Sequence, residues 1–312
     1  MANRTTIAGV GLVAATAGAP LLWGTTYLVT TELLPEGRPL LTGVLRALPA
    51  GVLLAVMTRR RPTGVWWLRS AVLGVLNIGG FFALLFVAAY RLPGGVAATL
   101  GAIQPLLAAA LGVVVLGQRF RLRTSIAGLM GLVGVSLLVL RADAALDGIG
   151  VLAGVGGAMS MATGVVLTKR WERPVPLLAF TSWQLIAGGL SLAPLAIAVE
   201  GLPPHLTASN LVGYTWLTGA GTAVAYSLWF RGIAQLPVAQ VSILGLLSSV
   251  VASVLGWSVL DQSLAPLQLL GGGIVLAAVA LGQTGRVPPE TIRPPVASLS
   301  LPATPAPVLA CR

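Results

Sequence analysis

The chain has 312 residues, of which 56% are hydrophobic and 9% are charged, and its formal net charge is +11. Soluble domains carry roughly 25% charged residues, so this composition excludes an ordinary soluble domain. Because the only cysteine is Cys311, the sequence also excludes a disulfide framework or a thiolate metal site within one chain, and we expect no metal and no cofactor.

Ten apolar segments follow one another from Ala8 to Gln283. They are predicted at residues 8–34, 39–57, 70–90, 94–117, 124–140, 148–168, 177–199, 209–230, 238–260 and 265–283, and we number them spans 1 to 10. A helix of about 20 apolar residues crosses a hydrocarbon core of roughly 30 Å. We therefore predict an all-α integral membrane protein with ten transmembrane helices, followed by a disordered Pro-rich cytoplasmic tail at residues 284–312.

The basic residues are distributed unevenly between the two sides of the predicted membrane. Fifteen of the 19 Lys and Arg residues lie in segments on the side of the N-terminus, whereas the opposite loops hold only Arg38, Arg91 and Arg141. Because basic segments are retained in the cytoplasm, both termini are predicted to be cytoplasmic. The positive charge is thus a topology signal, and we expect no nucleic-acid partner.

The two halves of the chain resemble each other. When residues 92–137 are shifted by 144, fourteen of 46 positions are identical, including Leu92-Pro93 with Leu236-Pro237 and Gly101 with Gly245. Each copy contains five spans, so the second copy enters the membrane with the opposite orientation. Inverted repeats of this kind characterise secondary transporters, whose substrate site lies between the repeats near the midplane.

Several motifs resemble a known family. Leu22-Trp23-Gly24-Thr25-Thr26-Tyr27 is similar to the first helix of the drug/metabolite transporter superfamily, and Arg46 matches an arginine in that family's second helix. Leu116-Gly117-Gln118-Arg119-Phe120 resembles the end of an EamA repeat, as does Leu260-Asp261-Gln262 in the second copy. The resemblance implies two EamA-type repeats, at residues 8–140 and 148–283, in a ten-helix permease of the plasma membrane.

The chain also departs from this family's pattern. Gln118 and Gln262 stand where the family usually has Glu, so a carboxylate role there is in doubt. The run Trp23–Pro35, followed by Arg38-Pro39-Leu40-Leu41, is similar to exporters of pigments and amino-acid-like metabolites.

Polar and aromatic residues within the spans are candidates for a substrate site. Trp23, Tyr27 and Thr30 recur at i, i+4 and i+7 and share one face of span 1. The other substrate-binding candidates are Asn77, Phe81, Gln104, Ser160, Thr163, Gln184, Tyr226 and Ser242. Pro105 interrupts span 4 beside Gln104 and is a candidate gating residue. Helix packing is the alternative for each, and Ser and Thr are expected to bond carbonyls of their own helix.

Two charged residues are candidates for structural or gating roles. Glu32 lies near the outer end of span 1, and Arg46 lies well inside span 2. We expect Arg46 to snorkel or to bind nearby carbonyls; pairing with Glu32 or with a substrate carboxylate is the alternative. Because no acid or histidine lies at mid-membrane depth, we predict no buried proton relay.

The predicted function is an alternating-access secondary transporter that exports small metabolites across the plasma membrane. An uncharged cavity with aromatic walls suits neutral or zwitterionic, amino-acid-like or amphiphilic compounds. A channel or a non-transporting membrane scaffold is the alternative. An integral-membrane enzyme is disfavoured because no nucleophile–base pair or metal-ligand cluster is evident in the bundle. The sequence does not indicate an oligomeric state.

Overall fold

The structure is a computed structural model that describes residues 2–92, 94–119, 121–139, 147–202, 205–261 and 263–284. Within these ranges the regular secondary structure is helical and contains no strand. The predicted Pro-rich tail lies outside the described residues from residue 285 onwards.

The first half contains spans 1 to 5. Their helices are Ala2–Leu33 for span 1, Pro39–Thr58 for span 2, Trp66–Gly74, Val75–Gly79 and Gly80–Arg91 for span 3, Gly94–Gly101 and Gln104–Leu116 for span 4, and Leu122–Val139 for span 5. The short middle element of span 3 is a π-helix, so this span is one continuous helix with a widened turn.

The second half contains spans 6 to 10. Their helices are Gly148–Arg170 for span 6, Leu177–Glu200 for span 7, Ala208–Thr218, Gly219–Val224 and Ala225–Gln235 for span 8, Val238–Leu244 and Leu247–Val259 for span 9, and Pro266–Gln283 for span 10. By length and hydropathy, nine of the ten described spans are apolar enough to cross a membrane. Span 8 is equally long, but its hydroxyl, amide and aromatic side chains lower its hydropathy.

The ends of the spans follow ordinary helix-capping chemistry. Asp147 accepts a hydrogen bond from the backbone N–H of Gly150 and begins span 6. Thr207 and Asn210 form a reciprocal capping box at the start of span 8. Gly117 adopts a left-handed conformation, with φ of 64°, and ends span 4.

Helix irregularities recur at equivalent positions in the two halves. The π-helices at Val75–Gly79 and Gly219–Val224 start 144 residues apart, which is the shift found in the sequence repeat. Spans 4 and 9 are both interrupted at a glycine of the repeat, Gly101 and Gly245, where i to i+3 hydrogen bonds replace α-helical ones. Because π-helices and broken helices are uncommon and concentrate at functional sites, we expect the functional site to lie near the middle of the bundle.

The contacts between helices follow the same inverted symmetry, so a pair of spans in contact has an equivalent pair in contact. Span 2 packs along span 7 and span 5 along span 10, and the contacts of span 3 with span 6 match those of span 8 with span 1. Glycines allow the close approach: a Cβ on Gly188 of span 7 would lie 2.6 Å from the carbonyl oxygen of Gly74 in span 3. Such contacts are typical of helices that associate within lipid.

Hydrogen bonds join the Arg-rich loops at one end of the bundle. Trp183 Nε1 donates to the carbonyl of Arg60, Arg170 donates to the carbonyl of Val115, and Arg123 donates to the carbonyl of Thr284. We name this the basic end. The chain alternates between the two ends, and its tenth span finishes at the basic end.

Candidate substrate-binding site

A cavity of about 630 Å³ lies at the basic end. It is enclosed by the ends of spans 4, 6, 7 and 8 and by the loop between spans 6 and 7; its lining residues are Val115, Leu116, Gln118, Thr168, Lys169, Arg170, Glu172, Arg173, Phe180, Phe230 and Ala234. The charged members of this set lie near the mouth, and its buried members Thr168, Phe180 and Phe230 form the floor. The cavity therefore opens towards the basic end, and its buried side faces the membrane interior.

Aromatic rings lead from the cavity floor into the bundle. The ring centroids are 5.9 Å apart for Phe180 and Phe230, 5.7 Å for Phe230 and Tyr226, and 5.2 Å for Tyr226 and Trp23. We name these four residues the aromatic ladder. Phe230 and Tyr226 are one helical turn apart on span 8, so the ladder follows that helix away from the cavity.

Arg46 is held by the π-helix of span 8. Its guanidinium Nε donates to Thr222 Oγ1 at 2.9 Å, and Nη2 donates to the carbonyl of Gly221 at 2.8 Å. The Trp23 indole N–H donates to the same carbonyl at 3.1 Å. The side chain also lies over the Phe82 ring, with Cζ 5.4 Å from its centroid. A cation, an indole and a widened helical turn thus meet next to the aromatic ladder.

The π-helix of span 3 carries a matching network made of uncharged groups. Asn77 Nδ2 donates to Gln184 Oε1 at 2.8 Å and to Thr168 Oγ1 at 3.1 Å. Ser160 donates across the interface to the carbonyl of Leu76 at 2.9 Å. Asn77 Oδ1 and Gln184 Nε2 are buried and have no hydrogen-bond partner among the residues that the structure describes. Since Thr168 lines the cavity, this network reaches its floor.

The two interrupted spans meet in one hydrogen bond. Gln104 Nε2, which begins the second helix of span 4, donates to Ser242 Oγ of span 9 at 3.2 Å. Pro105 follows Gln104, is buried, and lacks a backbone N–H, so the helix restarts there without an i to i−4 bond. The discontinuity of one half therefore contacts that of the other.

The opposite end of spans 2 and 7 is held by Glu200. Its two carboxylate oxygens accept the backbone N–H groups of Leu40 and Leu41, each at 2.7 Å, at the start of span 2. Arg38 donates to the carbonyls of Glu200 and Gly201. A carboxylate at a helix N-terminus is stabilised by the exposed N–H groups and by the helix dipole. We name this contact the Glu200 cap.

The structure brings most of the predicted residues into these networks. Trp23, Arg46 and Tyr226 meet at span 8; Asn77, Ser160 and Gln184 meet at span 3; and Gln104 meets Ser242. Ser160 bonds a carbonyl of span 3, so the expectation that it would bond its own helix is wrong.

Other predicted residues stand apart from the networks. Phe81 packs on Phe82, and Thr30 and Thr163 are half-buried. Glu32 is exposed, and the contacts of Arg46 do not include it. The side chain of Tyr27 lies outside the described part of the structure.

Sequence reasoning missed four contributors. Thr168, Gly221 and Thr222 provide partners for Asn77 and Arg46, and Glu200 caps span 2. Position 221 follows position 77 by 144 residues, so extending the repeat alignment into span 3 would have identified it. No comparable signal marks Glu200, which stands at the end of an apolar run.

The combined arrangement is suited to binding and not to covalent chemistry. It offers aromatic faces, amide groups, hydroxyls and one buried cation, and the described residues contain no group of three or more His, Cys, Asp or Glu side chains. These are the convergent polar groups and apolar walls of a small-molecule site.

Comparisons with known proteins give one consistent family. The sequence profile of the EamA-like transporter family matches residues 9–140 and 148–282. Protein PecM of Dickeya dadantii is 44% identical over 267 residues, which cover 85% of this chain and 90% of PecM. The uncharacterized inner membrane transporter YedA of Escherichia coli is 27% identical, covering 85% of this chain and 88% of YedA. One crystal structure matches with a TM-score of 0.74 at 20% identity, covering 87% of this chain and 96% of that one, which shows a shared fold.

Proposed function

The chain belongs to the EamA-like transporter family, and we propose that it is an alternating-access exporter of amphiphilic or zwitterionic small metabolites. It is a multi-pass membrane transporter and not an enzyme. The proposal adds the direction of transport, the class of solute and the orientation in the membrane.

The cavity at the basic end is the observation that carries this function. It lies where the two halves meet, because spans 4 and 6 come from different repeats. At the other end of the bundle the Glu200 cap joins spans 2 and 7, which also come from different repeats. A cavity that opens at the basic end, with hydrogen bonds joining the repeats at the opposite end, supports the assignment to one state of an alternating-access carrier.

The orientation follows from charge. Since Lys and Arg residues concentrate at the basic end and resist translocation, we assign that end to the cytoplasm and place both termini there. The cavity then faces the cytoplasm, which supports solute capture from inside and release outside at the plasma membrane.

The chemistry of the site supports the class of solute. A cavity of about 630 Å³ falls within the range of roughly 300–1,000 Å³ that is usual for small-molecule sites. Phe180 and Phe230 of the aromatic ladder line the cavity and offer apolar faces. Thr168 also lines it and offers a hydroxyl that belongs to the amide network of spans 3 and 7. An amphiphilic molecule of the size of an aromatic amino acid matches both.

Counterflow in proteoliposomes tests the proposal. The purified protein is reconstituted and assayed with a panel of labelled neutral amino acids, aromatic ones included, and with Trp23→Ala. We expect saturable counterflow that Trp23→Ala reduces at least tenfold, because Trp23 belongs to the ladder and bonds Gly221. Trp67→Ala is the matched control, since Trp67 is 61% exposed and touches neither network.

The outcomes separate a carrier from a channel or scaffold. Non-saturable flux without counterflow would indicate a channel. No flux for any solute, from protein shown to be folded, would refute the proposed function for this panel. Equal loss in both tryptophan variants would refute the location of the site.

A further inference from the structure

Arg46 is a buried cation, and no carboxylate in the described part of the chain forms an ion pair with it. Its side chain is 6% exposed within span 2. Among the described residues the one ion pair is that of Arg91 with Asp147, at a loop, and the partners of Arg46 are the hydroxyl of Thr222 and the carbonyl of Gly221. Its charge is therefore met by neutral dipoles and by the face of Phe82.

A charge in this position is costly unless something compensates it. Ionisable groups inside membranes are rare and mark substrate or ion pathways. Nε and Nη2 are bonded, whereas Nη1 has no acceptor among the described residues. A guanidinium with a free edge suits a carboxylate, which accepts two parallel N–H groups.

We propose that Arg46 is the anion-binding subsite of the carrier and that it binds the carboxylate of an aromatic solute. The inference rests on the proposed transport function and narrows its substrate class from amphiphilic compounds in general to aromatic carboxylates, zwitterionic amino acids among them.

The surroundings of Arg46 supply the aromatic half of this recognition. On span 8, Thr222, Tyr226 and Phe230 follow one another at intervals of four residues, so one helix face connects the guanidinium to the cavity floor. Trp23 packs on Tyr226 and shares the Gly221 carbonyl with Arg46. Phe230 lines the cavity, whereas Tyr226 and Arg46 are buried beyond it. In the proposed complex the solute therefore enters past Phe230, packs its ring against the ladder and places its carboxylate towards Arg46.

The mouth of the cavity has the matching charge. Lys169, Arg170 and Arg173 line it together with one acid, Glu172. Arg170 and Arg173 donate to the carbonyls of Val115 and Val175. Because a carbonyl is neutral, these hydrogen bonds do not cancel the positive charge of either guanidinium. The positive potential at the mouth favours the approach of anions.

A pair of nearly isosteric probes tests the subsite. Binding of 3-phenylpropionate and 3-phenylpropionamide is measured on the full-length protein in detergent at pH 7, and counterflow of the same compounds is measured in proteoliposomes. We expect the wild type to bind the carboxylate at least tenfold more tightly than the amide. In Arg46→Gln this preference should fall below twofold, with the affinity for the amide unchanged.

Two further variants separate charge recognition from folding. Arg46→Lys retains a cation without the planar fork, so we expect the carboxylate preference to weaken and yet to stay above twofold. Arg231→Gln removes an exposed arginine of span 8 and should leave the preference unchanged. Each variant is compared only after gel filtration and thermal unfolding show that it folds.

The results distinguish this inference from the proposed function. If the wild type does not prefer the carboxylate, or binds neither probe, the subsite is overturned even when other solutes are transported. If the preference is present and depends on Arg46 but no solute is moved, the subsite stands and the transport function fails.

Discussion

The triple glycine of span 10 allows a sharp test of how the two halves pack. Gly271 is buried against span 5: an added Cβ would lie 2.6 Å from the backbone nitrogen of Leu138 and 2.7 Å from the carbonyl oxygen of Gly134. Gly273, two residues later in the same helix, is exposed and has nothing within 4 Å of such a Cβ. The pair Gly271→Ala and Gly273→Ala therefore differs mainly in the steric contact.

The magnitude follows from these distances. Both clashing atoms belong to the backbone, so no rotamer change relieves them, and spans 5 and 10 must separate by roughly 1 Å to restore a contact of about 3.5 Å. A gap of that size forfeits about a quarter to a half of each local dispersion contact. Overpacking of this kind costs about 1–3 kcal/mol, whereas alanine gains about 0.8–1 kcal/mol of helix propensity at either position.

Because the propensity gain is common to both variants, their difference isolates the steric cost. We expect Gly271→Ala to be less stable than Gly273→Ala by about 1–3 kcal/mol. The measurement is the free energy of unfolding from SDS titration in mixed micelles, followed by circular dichroism. Stabilities that agree within about 0.5 kcal/mol would refute the close approach of spans 5 and 10.

Two further predictions concern the networks around the site. Glu200→Gln removes the charge that caps span 2, and we expect this to cost about 0.5–2 kcal/mol. Hydrogen exchange of the Leu40 and Leu41 amides should therefore accelerate about 2- to 30-fold. Glu36→Gln, which changes an exposed carboxylate, is the control and should leave this exchange rate unchanged. Asn77→Leu and Gln184→Leu should each destabilise the protein by about 1–3 kcal/mol, because each leaves the other amide buried without its partner. The double variant should cost less than the sum when unfolding is measured in SDS, and strictly additive costs would contradict the pairing.

The helical architecture was predictable because a lipid environment restricts which backbone structures can satisfy their own hydrogen bonds. Runs of about 20 apolar residues have few alternatives to spanning helices. The repeat was detectable from glycines at matching positions, since Gly101 and Gly245 mark helix breaks that lie at equivalent points of the two halves. The interruption of span 9 was harder to foresee, because Ser249 occupies the position that corresponds to Pro105.

The candidate site was predictable in its residue types and not in its partners. Asn77, Gln184, Arg46 and Trp23 stand out as polar or aromatic residues in apolar runs. Asn77 and Gln184 bond each other, but Asn77 also bonds the Thr168 hydroxyl, and Arg46 and Trp23 bond the Gly221 carbonyl of a widened helical turn. A backbone carbonyl has no composition signal. The local pattern of span 3 reads as a regular helix, so the π-helix depends on tertiary packing that a single sequence does not reveal.

The Glu200 cap also bears on which state the empty carrier prefers. Inverted symmetry places the start of span 7, Leu177 and Leu178, in the role that Leu40 and Leu41 have in span 2. A symmetric closure of the basic end would need an acid at the end of span 2, yet the sequence there is Arg59-Arg60-Arg61. The basic end therefore lacks the carboxylate that caps the opposite end, and cations facing the positive end of a helix dipole oppose closure. For the proposed alternating-access cycle, this asymmetry favours the state that is open at the basic end when no solute is bound. In the orientation and with the anionic solute proposed above, a bound solute offsets the repulsion among those cations and makes closure behind it easier, which would couple loading to export.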